Sequence, residues 1–397
     1  MLNTYLNACG ITCALGDSHA QVKARLYAGQ SGVVATSRWS PGRELPLGSV
    51  PAELASVAHL PPHQRSRNNA LALAALAQIR IAVDAAITRY GAARVGVVIG
   101  TSTSGIGETE QAIGRYAATG TLPPDFHYAL QEMGSPAEML AQELGLAGPA
   151  YVHSSACSSS AKAMASAARL INMGLCDAVL TGGVDSLCAF TVAGFTSLES
   201  VSTVQCNPMS VNRKGINIGE GAALFLMSAD AESAVPVTLL GWGESSDGHH
   251  MSAPDPAGAG ARLAMTQALQ RAGLEAAQID YINLHGTATP QNDAMESRVI
   301  EDLFGLDVPA SSTKPFTGHT LGAAAAIEAA LCWLAMQDDN VEGRLPPHLW
   351  DGVADPALPA LNLVRTGAAL GRPLRRVLSS SFAFGGSNAV LVLGRSS

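Results

Sequence analysis

Tyr151–Leu170 reads Tyr-Val-His-Ser-Ser-Ala-Cys-Ser-Ser-Ser-Ala-Lys-Ala-Met-Ala-Ser-Ala-Ala-Arg-Leu. Tyr151–His153 has the character of the end of a short buried strand, and small residues then run unbroken from Ser154 to Ala161. From Ser158 onward, alanine and serine with Lys162, Met164 and Leu170 suit a tightly packed helix. Cys157 therefore falls at a strand-to-helix elbow, on the first helical turn. Unpaired N–H groups and the helix dipole favour a negative charge there, the setting in which a thiol pKa drops and the thiolate becomes a nucleophile. A lone cysteine is equally well a small buried hydrophobe. The elbow alone leaves both readings open, and the rest of the chain decides between them.

The chain has 397 residues, enough for two to three domains or one large two-part fold. Hydrophobic residues make up 47%, ample for a core, whereas charged residues are only 14% against about 25% in an ordinary globular protein. So few charges suggest surface buried in an oligomer. The net charge of −8 gives no reason to expect nucleic acid or an anionic membrane as partner. The first basic residue is Lys23, so no secretory signal is expected, and no run is read as a membrane span. Seven scattered cysteines without a Cys-x-x-Cys pair argue against a disulfide framework or a zinc site and fit a reducing cytoplasm.

Along the chain, strands are expected at Thr4–Gly10, Arg94–Gly100, Asp177–Gly182 and Gly221–Met227. Helices are expected at Ser18–Gly29, Asn68–Tyr90, Gly105–Ala118 and Pro136–Glu143, and Ser31–Pro62 reads as an extended surface loop. The plan then recurs. Strands at Asp280–Leu284 and Pro309–Ser312, helices at Asp293–Phe304 and Leu321–Gln337, and closing strands at Arg376–Ser381 and Ala389–Leu393 follow one another. Alternating strands and helices imply an α/β protein with parallel sheet covered on both faces. Two similar runs imply two similar halves, residues 1–233 and 234–397, within one compact unit.

Two histidine motifs stand out in the second half. His285-Gly286-Thr287-Ala288-Thr289 follows directly on a strand, and catalytic groups in α/β sheets gather at the carboxyl ends of strands. Lys314-Pro315-Phe316-Thr317-Gly318-His319 places His319 at the start of a small-residue helix, where a histidine is biased to its neutral, hydrogen-bond-donating form. Each alone is more often a satisfied structural residue. Ser381-Phe382-Ala383-Phe384-Gly385-Gly386-Ser387-Asn388 is a Gly-Gly turn beside an aromatic ring. Such a turn brings backbone N–H groups near a reacting atom, as an oxyanion hole requires, although alone it would be an ordinary hairpin. No dinucleotide fingerprint, P-loop or metal cluster is present, and Asp247-Gly248-His249-His250 reads as loop.

Together these motifs resemble the β-ketoacyl-acyl carrier protein synthases, condensing enzymes of the thiolase superfamily, over nearly the whole chain. The Ser-Ala-Cys-Ser elbow, Gly219-Glu220-Gly221, the two histidine motifs and Phe384-Gly-Gly-Ser-Asn occur in the family's order. The resemblance implies a thiolase-like fold of two similar halves in an α-β-α-β-α layering. It also implies an acyltransferase that loads an acyl chain on Cys157 and condenses it decarboxylatively with a malonyl thioester. His285 and His319 would bind the malonyl carbonyl, with Lys314 and Glu328 as a supporting charged pair. The amides of Cys157 and Phe384 would form the oxyanion hole, and Phe384 would also gate the pocket. Thr287 and Thr289 would hold the phosphopantetheine arm, while Ile106, Ile216 and Phe382 would line the substrate pocket. No metal and no cofactor is implied beyond that arm, which belongs to an acyl carrier protein partner.

Cys206–Gly221 departs from the fatty-acid enzymes, with Ser210, Lys214 and Ile216 where aspartate, aspartate and phenylalanine are usual. With Thr101-Ser102-Thr103-Ser104-Gly105-Ile106 this looks more like the condensing enzymes of bacterial aryl-polyene clusters. Those often pair with a related subunit lacking the cysteine, so a homodimer or a heterodimer is expected. An acidic carrier needs a local basic patch on this acidic chain, for which Arg65, Arg67, Arg213 and Lys214 are the candidates. Two rivals remain. A CoA-dependent thiolase would want a second catalytic cysteine near the C-terminal turn, where only the mid-helix Cys332 follows His285. A non-catalytic chain-length partner would lack the nucleophile.

Overall fold

The computed structural model describes residues 3–395; the outermost residues of the two expected halves, 1–2 and 396–397, lie outside them. The first half runs β1 (Tyr5–Cys13), α1 (His19–Tyr27), the short hairpin β2 (Val34–Thr36) and β3 (Leu45–Leu47), then α2 (Arg67–Tyr90) and β4 (Val95–Gly100). It continues through α3 (Ile106–Thr119), α4 (Ser135–Glu143), β5 (Ala150–His153), α5 (Ser159–Asn172), β6 (Ala178–Asp185), α6 (Ala189–Ser197) and β7 (Gly221–Ser228). The second half runs β8 (Val237–Ser246), α7 (Ala259–Ala272), β9 (Tyr281–Asn283), α8 (Pro290–Phe304), β10 (Pro309–Ser311), α9 (Lys314–Thr317) and α10 (Ala324–Ala335). It closes with β11 (Asn362–Leu363), β12 (Arg376–Phe382) and β13 (Ser387–Arg395).

Eleven strands follow the order β11-β10-β9-β12-β13-β8-β1-β7-β6-β4-β5. The same pairing pattern is used twice. In the first half β5, β4 and β6 are parallel, β7 is antiparallel to β6, and β1 is antiparallel to β7. In the second, β10, β9 and β12 are parallel, β13 is antiparallel to β12, and β8 is antiparallel to β13. The halves join between β1 and β8, where Tyr5 registers with Thr238.

Helices α5 and α10 form the layer between the half-sheets, with alanines such as Ala163, Ala167, Ala326 and Ala330 fully buried. Alanine lets two helices and two sheets approach closely, and overfilling such a layer costs about 1–3 kcal/mol. Helices α2 and α4 cover the outer face of the first half-sheet, and α7 and α8 that of the second. The result is the expected α-β-α-β-α layering.

Four expectations need correction. Helix α2 is long and apolar enough to cross a membrane, a run the sequence reading passed over. Here its Leu71, Ala75, Leu76 and Val83 face is buried against the first half-sheet, while Arg80 and Asp84 lie on its exposed side. Strand β5 is not a buried strand: among the described residues it is the edge of the sheet, and it is only partly covered. The Ser31–Pro62 segment is not all surface loop, since Trp39, Leu45 and Leu47 pack with Ile216, Ile218 and Leu321. Strand β8 and helices α6 and α7 had no counterpart in the expected elements.

Candidate active site

Cys157 sits between β5 and α5, but just outside the helix: Ser158 is the N-cap and the helix begins at Ser159. The elbow turns through Ala156, whose φ of +51° is unusual for a residue with a Cβ and costs on the order of 1–3 kcal/mol. The serines explain how that turn is held. Ser159 Oγ accepts from the Ser155 N–H (2.8 Å) and donates to the Ala156 carbonyl (2.6 Å). Ser158 Oγ contacts Ser387 Oγ (2.9 Å), and Lys162 Nζ donates to the same hydroxyl (2.6 Å). The Gly-Gly turn is thereby tied to the nucleophile helix.

His285 leaves the end of β9 and is fully buried. Its backbone is gripped by Glu296 of α8, which accepts from the N–H groups of His285 and Gly286 at 2.7 Å each. Asp293, one turn earlier, accepts from Ala288 (3.2 Å) and from Met209 (2.8 Å). Ala288 has φ +63°, so these two carboxylates hold another unfavourable turn. Behind the ring, Lys314 Nζ lies 3.3 Å from Nδ1 and is paired with the buried Glu328. An ammonium only donates, so Nδ1 accepts and Nε2 carries the ring proton.

His319 is held through its backbone by the segment around Gly219-Glu220-Gly221. Its N–H donates to Asn217 O (2.6 Å), and its carbonyl accepts from Gly219 (2.9 Å). A Cβ on Gly219 would lie 2.3 Å from the Thr317 carbonyl, which is why that position is bare. His319 Nδ1 accepts from the Leu321 N–H (3.2 Å), which fixes the proton on Nε2. Leu321 has φ +51°, and Asp185 braces the turn by accepting from Gly322 N and from the hydroxyls and amides of Ser102 and Thr103.

Cys157 Sγ and a ring nitrogen of each histidine lie within 4.8 Å of one another, all three residues buried. The imidazoles meet edge to face, centroids 5.4 Å apart, and Phe382 stands edge-on to His285 at 6.0 Å. Burial, then the Lys314 charge, hold both imidazoles well below their usual pKa. At neutral pH both are therefore neutral donors. His319 owes this to burial and Lys314 rather than to a helix start, since a single 3-10 turn separates it from α10. The thiol departs from expectation in sign. Burial pushes Cys157 up to about 11, opposed by Lys314 and by the N–H groups of Phe384 and of Cys157 itself. One helix terminus does not outweigh full desolvation. The three donor atoms could in principle take a metal ion, but the ammonium of Lys314 behind His285 disfavours a cation there.

Two cavities meet at the sulfur. One is lined by Cys157, His285, His319, Thr287, Thr289, Ile216, Phe382 and Phe384 and leads out past Pro254 and Lys214. The other, of about 470 Å³, runs from Cys157 between Ile106 and the α6 residues Phe190, Thr191 and Phe195. Phe195 lines both and packs on Phe384 at 5.8 Å, so these rings stand at the junction. The structure thus gathers the expected nucleophile, histidines, charged pair, gate and pocket residues around one point.

Residues 7–232 match the family model described as beta-ketoacyl synthase, N-terminal domain, and residues 237–348 match beta-ketoacyl synthase, C-terminal domain. The chain belongs to the β-ketoacyl synthase family. It is 32% identical to 3-oxoacyl-[acyl-carrier-protein] synthase 1 of Haemophilus influenzae, with 100% of this chain and 99% of the relative covered. It is 33% identical to nodulation protein E of Rhizobium meliloti (strain 1021), over 85% of this chain and 86% of the relative. Among solved structures, a chain of the ketosynthase (ApeO) complex with its chain length factor (ApeC) from Xenorhabdus doucetiae superposes with TM-score 0.93. It is 45% identical, with 100% of this chain and 98% of that one covered.

Within this β-ketoacyl synthase, the four basic docking candidates separate. Arg67 points inward and makes a two-pronged pair with the fully buried Glu220, which also accepts from Val50 and Leu187. Arg213 is enclosed against Asp355 and the Ser210 carbonyl. Neither is free to meet a partner. Arg65 and Lys214 are exposed, and Lys214 lines the cavity mouth. Ser210, at the departure from the fatty-acid pattern, donates to Asp351 (2.8 Å). Sequence reasoning missed Asp185, Asp293 and Glu296, the carboxylates that shape the loops. A buried acid three residues before another, Asp293-x-x-Glu296 just after the histidine motif, was the available signal.

Proposed function

We propose that the protein carries out the condensing reaction of its family with the roles the geometry supports. Cys157 attacks an acyl thioester carbonyl, its proton passes to the departing pantetheine thiol, and the acyl chain occupies the cavity beside Ile106 and α6. A malonyl thioester then enters past Lys214, Thr287 and Thr289. Nε2–H of His285 and of His319 bind its thioester oxygen, loss of CO₂ leaves an enolate on that oxygen, and neutral donors suit this charge. The enolate carbon attacks the acyl carbonyl, whose oxyanion the Cys157 and Phe384 amides receive. The sulfur leaves as thiolate and takes a proton from solvent. The product is a β-ketoacyl thioester, and no metal or redox cofactor takes part. The raised thiol pKa fits a cysteine that stays protonated until substrate is bound.

The observation that carries this reading is the juxtaposition of one thiol and two neutral imidazoles within 4.8 Å, at the junction of two cavities. An acyl carrier protein is the expected donor of both substrates. A homodimer or a heterodimer with a related chain-length subunit is the expected assembly. Support comes from the exposed apolar side chains Ile113 and Tyr116 of α3, Tyr128, and Phe190 at the acyl cavity, and from the free edge of β5. The aryl-polyene type is favoured by the likeness to the ketosynthase–chain length factor complex and by the Lys214–Ile216 departure. Seven free cysteines fit a reducing cytoplasm. The thiolase reading fails on position: Cys332 is buried in mid-α10.

The test is CO₂ release from malonyl-carrier protein by the unmodified protein, Cys157→Ala and His319→Ala. Cys157→Ala should lose condensation and keep some decarboxylation. His319→Ala should lose decarboxylation by on the order of a hundredfold to a thousandfold while acyl transfer to Cys157 persists. Equal release by the unmodified protein and His319→Ala would remove that histidine from the mechanism.

A further inference from the structure

The far wall of the acyl cavity consists of two short pieces of chain, the start of α3 and the helix α6. α6 is weakly anchored on its own account. It has nine residues, of which only Val192 is buried, and its N-cap Cys188 gives its backbone no side-chain hydrogen bond. Cys188 Sγ is instead turned to Thr191 Oγ1 (2.9 Å). The first N–H groups of any helix need partners, and here they come from another helix. Glu110 of α3 accepts from Ala189 N (3.0 Å) and from Phe190 N (2.7 Å), one carboxylate oxygen each. A carboxylate at a helix N-terminus also meets the positive end of its dipole, and charge-assisted bonds of this kind are the strong ones.

Glu110 lies four residues after Ile106, so the two share a face of α3. One residue of that face lines the cavity and the other holds the opposite part of its wall. At the nucleophile side of the same helix, Phe195 packs on Phe384. α6 therefore spans from the chain pocket to the gate, and its position sets the width of the first. From this geometry we infer that Glu110 is a positioning residue for acyl-chain discrimination: it clamps α6 to α3 and so limits the chain that Cys157 accepts. The inference rests on the acyl-cavity assignment made above. It assigns Glu110 no contact with substrate.

The experiment loads acyl-carrier proteins of graded chain length onto the assembled full-length protein and reads the Cys157 adduct by intact mass. Glu110→Ala removes both acceptors; Glu110→Gln keeps the shape and one acceptor. Releasing the clamp should raise loading of the first excluded chain, relative to the best one, by about tenfold in Glu110→Ala, the scale of discrimination by a methylene-sized space. Glu110→Gln should fall between, and malonyl decarboxylation should change little in either. A double-mutant cycle with Ile106→Phe separates positioning from general weakening. The ring should shorten the accepted chain in the Glu110 background and much less in Glu110→Ala, because α6 can retreat. An unshifted chain-length profile in both variants, or an equal loss at every chain length and in decarboxylation, overturns the clamp. No loading of Cys157 by the unmodified protein at any length overturns the condensing-enzyme reading itself.

Discussion

Buried charge is set group by group in this centre, and burial is the largest influence on each. It holds His285 and His319 neutral and the Cys157 thiol protonated, so the resting site presents two donors and an inactive sulfur. The same cause raises the carboxyl groups that grip the His285 loop, Asp293 to about 6 and Glu296 to about 7. An acid with a raised folded-state pKa binds more protons folded than unfolded, so the stability it contributes is complete below its ordinary pKa and lost as pH rises through the folded one. For Glu296 that window runs from 4.5 to about 7. The unfolding midpoint should therefore decline across this window, and Glu296→Gln should flatten the decline, since the amide does not titrate. A melt series in matched buffers reads it, and identical pH slopes in the two proteins would refute the assignment. The sequence placed Cys157 at its elbow correctly. It misjudged the thiol, because an elbow is visible in residue order and desolvation is not.

At the scale of elements, glycines mark where backbones touch. Gly219 and Gly318 face each other in the pairing of Ile218 with His319, and Gly48 packs on the Thr317 carbonyl from the other side. A methyl group on Gly219 must displace the very backbone that carries His319. Gly219→Ala is thus expected to fold and to load Cys157, yet to lose decarboxylation by on the order of a hundredfold, the consequence of about 1 Å of misplacement. Comparing CO₂ release with adduct mass in one preparation tests this; parallel loss of both would place the damage elsewhere. Glycine also explains what the sequence hid. β8 contains Gly241 and Gly243, which look like strand breakers, but a Cβ at Gly243 would lie 1.7 Å from the Ala264 carbonyl of α7. The glycines are there so that α7 can lie directly on the strand. α6, apolar on all sides, has no helical period to read, and its cap is supplied from α3. By contrast α2 and α5 were legible, since their alanine-rich runs, and for α2 the capping Ser66, are local signals.

Across the whole molecule both halves contribute to one centre: Cys157 comes from the first and His285 and His319 from the second, and the cavity mouth is lined by both. Glu220 lies at their junction, with the His319 segment on one side and Arg67 on the other. This separates basic residues that look alike in sequence. Arg67→Glu would leave Glu220 buried beside a second negative charge, and breaking a buried pair from one side costs about 3–5 kcal/mol. Its effect should be a lowered unfolding midpoint. Lys214→Glu removes an exposed charge, and Arg65→Glu an exposed charge whose side chain makes one hydrogen bond, to the Leu60 carbonyl (2.7 Å), so both folds should melt close to normally. If these two face an acidic carrier, each reversal should weaken carrier binding by about fivefold, mostly by slowing association, and the difference should vanish in high salt. Fluorescence anisotropy with labelled carrier at two salt concentrations, beside a thermal melt, resolves both effects. Unchanged affinity in the Arg65→Glu, Lys214→Glu double variant would move the docking surface away from this entrance, whereas a normal melt for Arg67→Glu would mean that Glu220 finds its charge partner elsewhere.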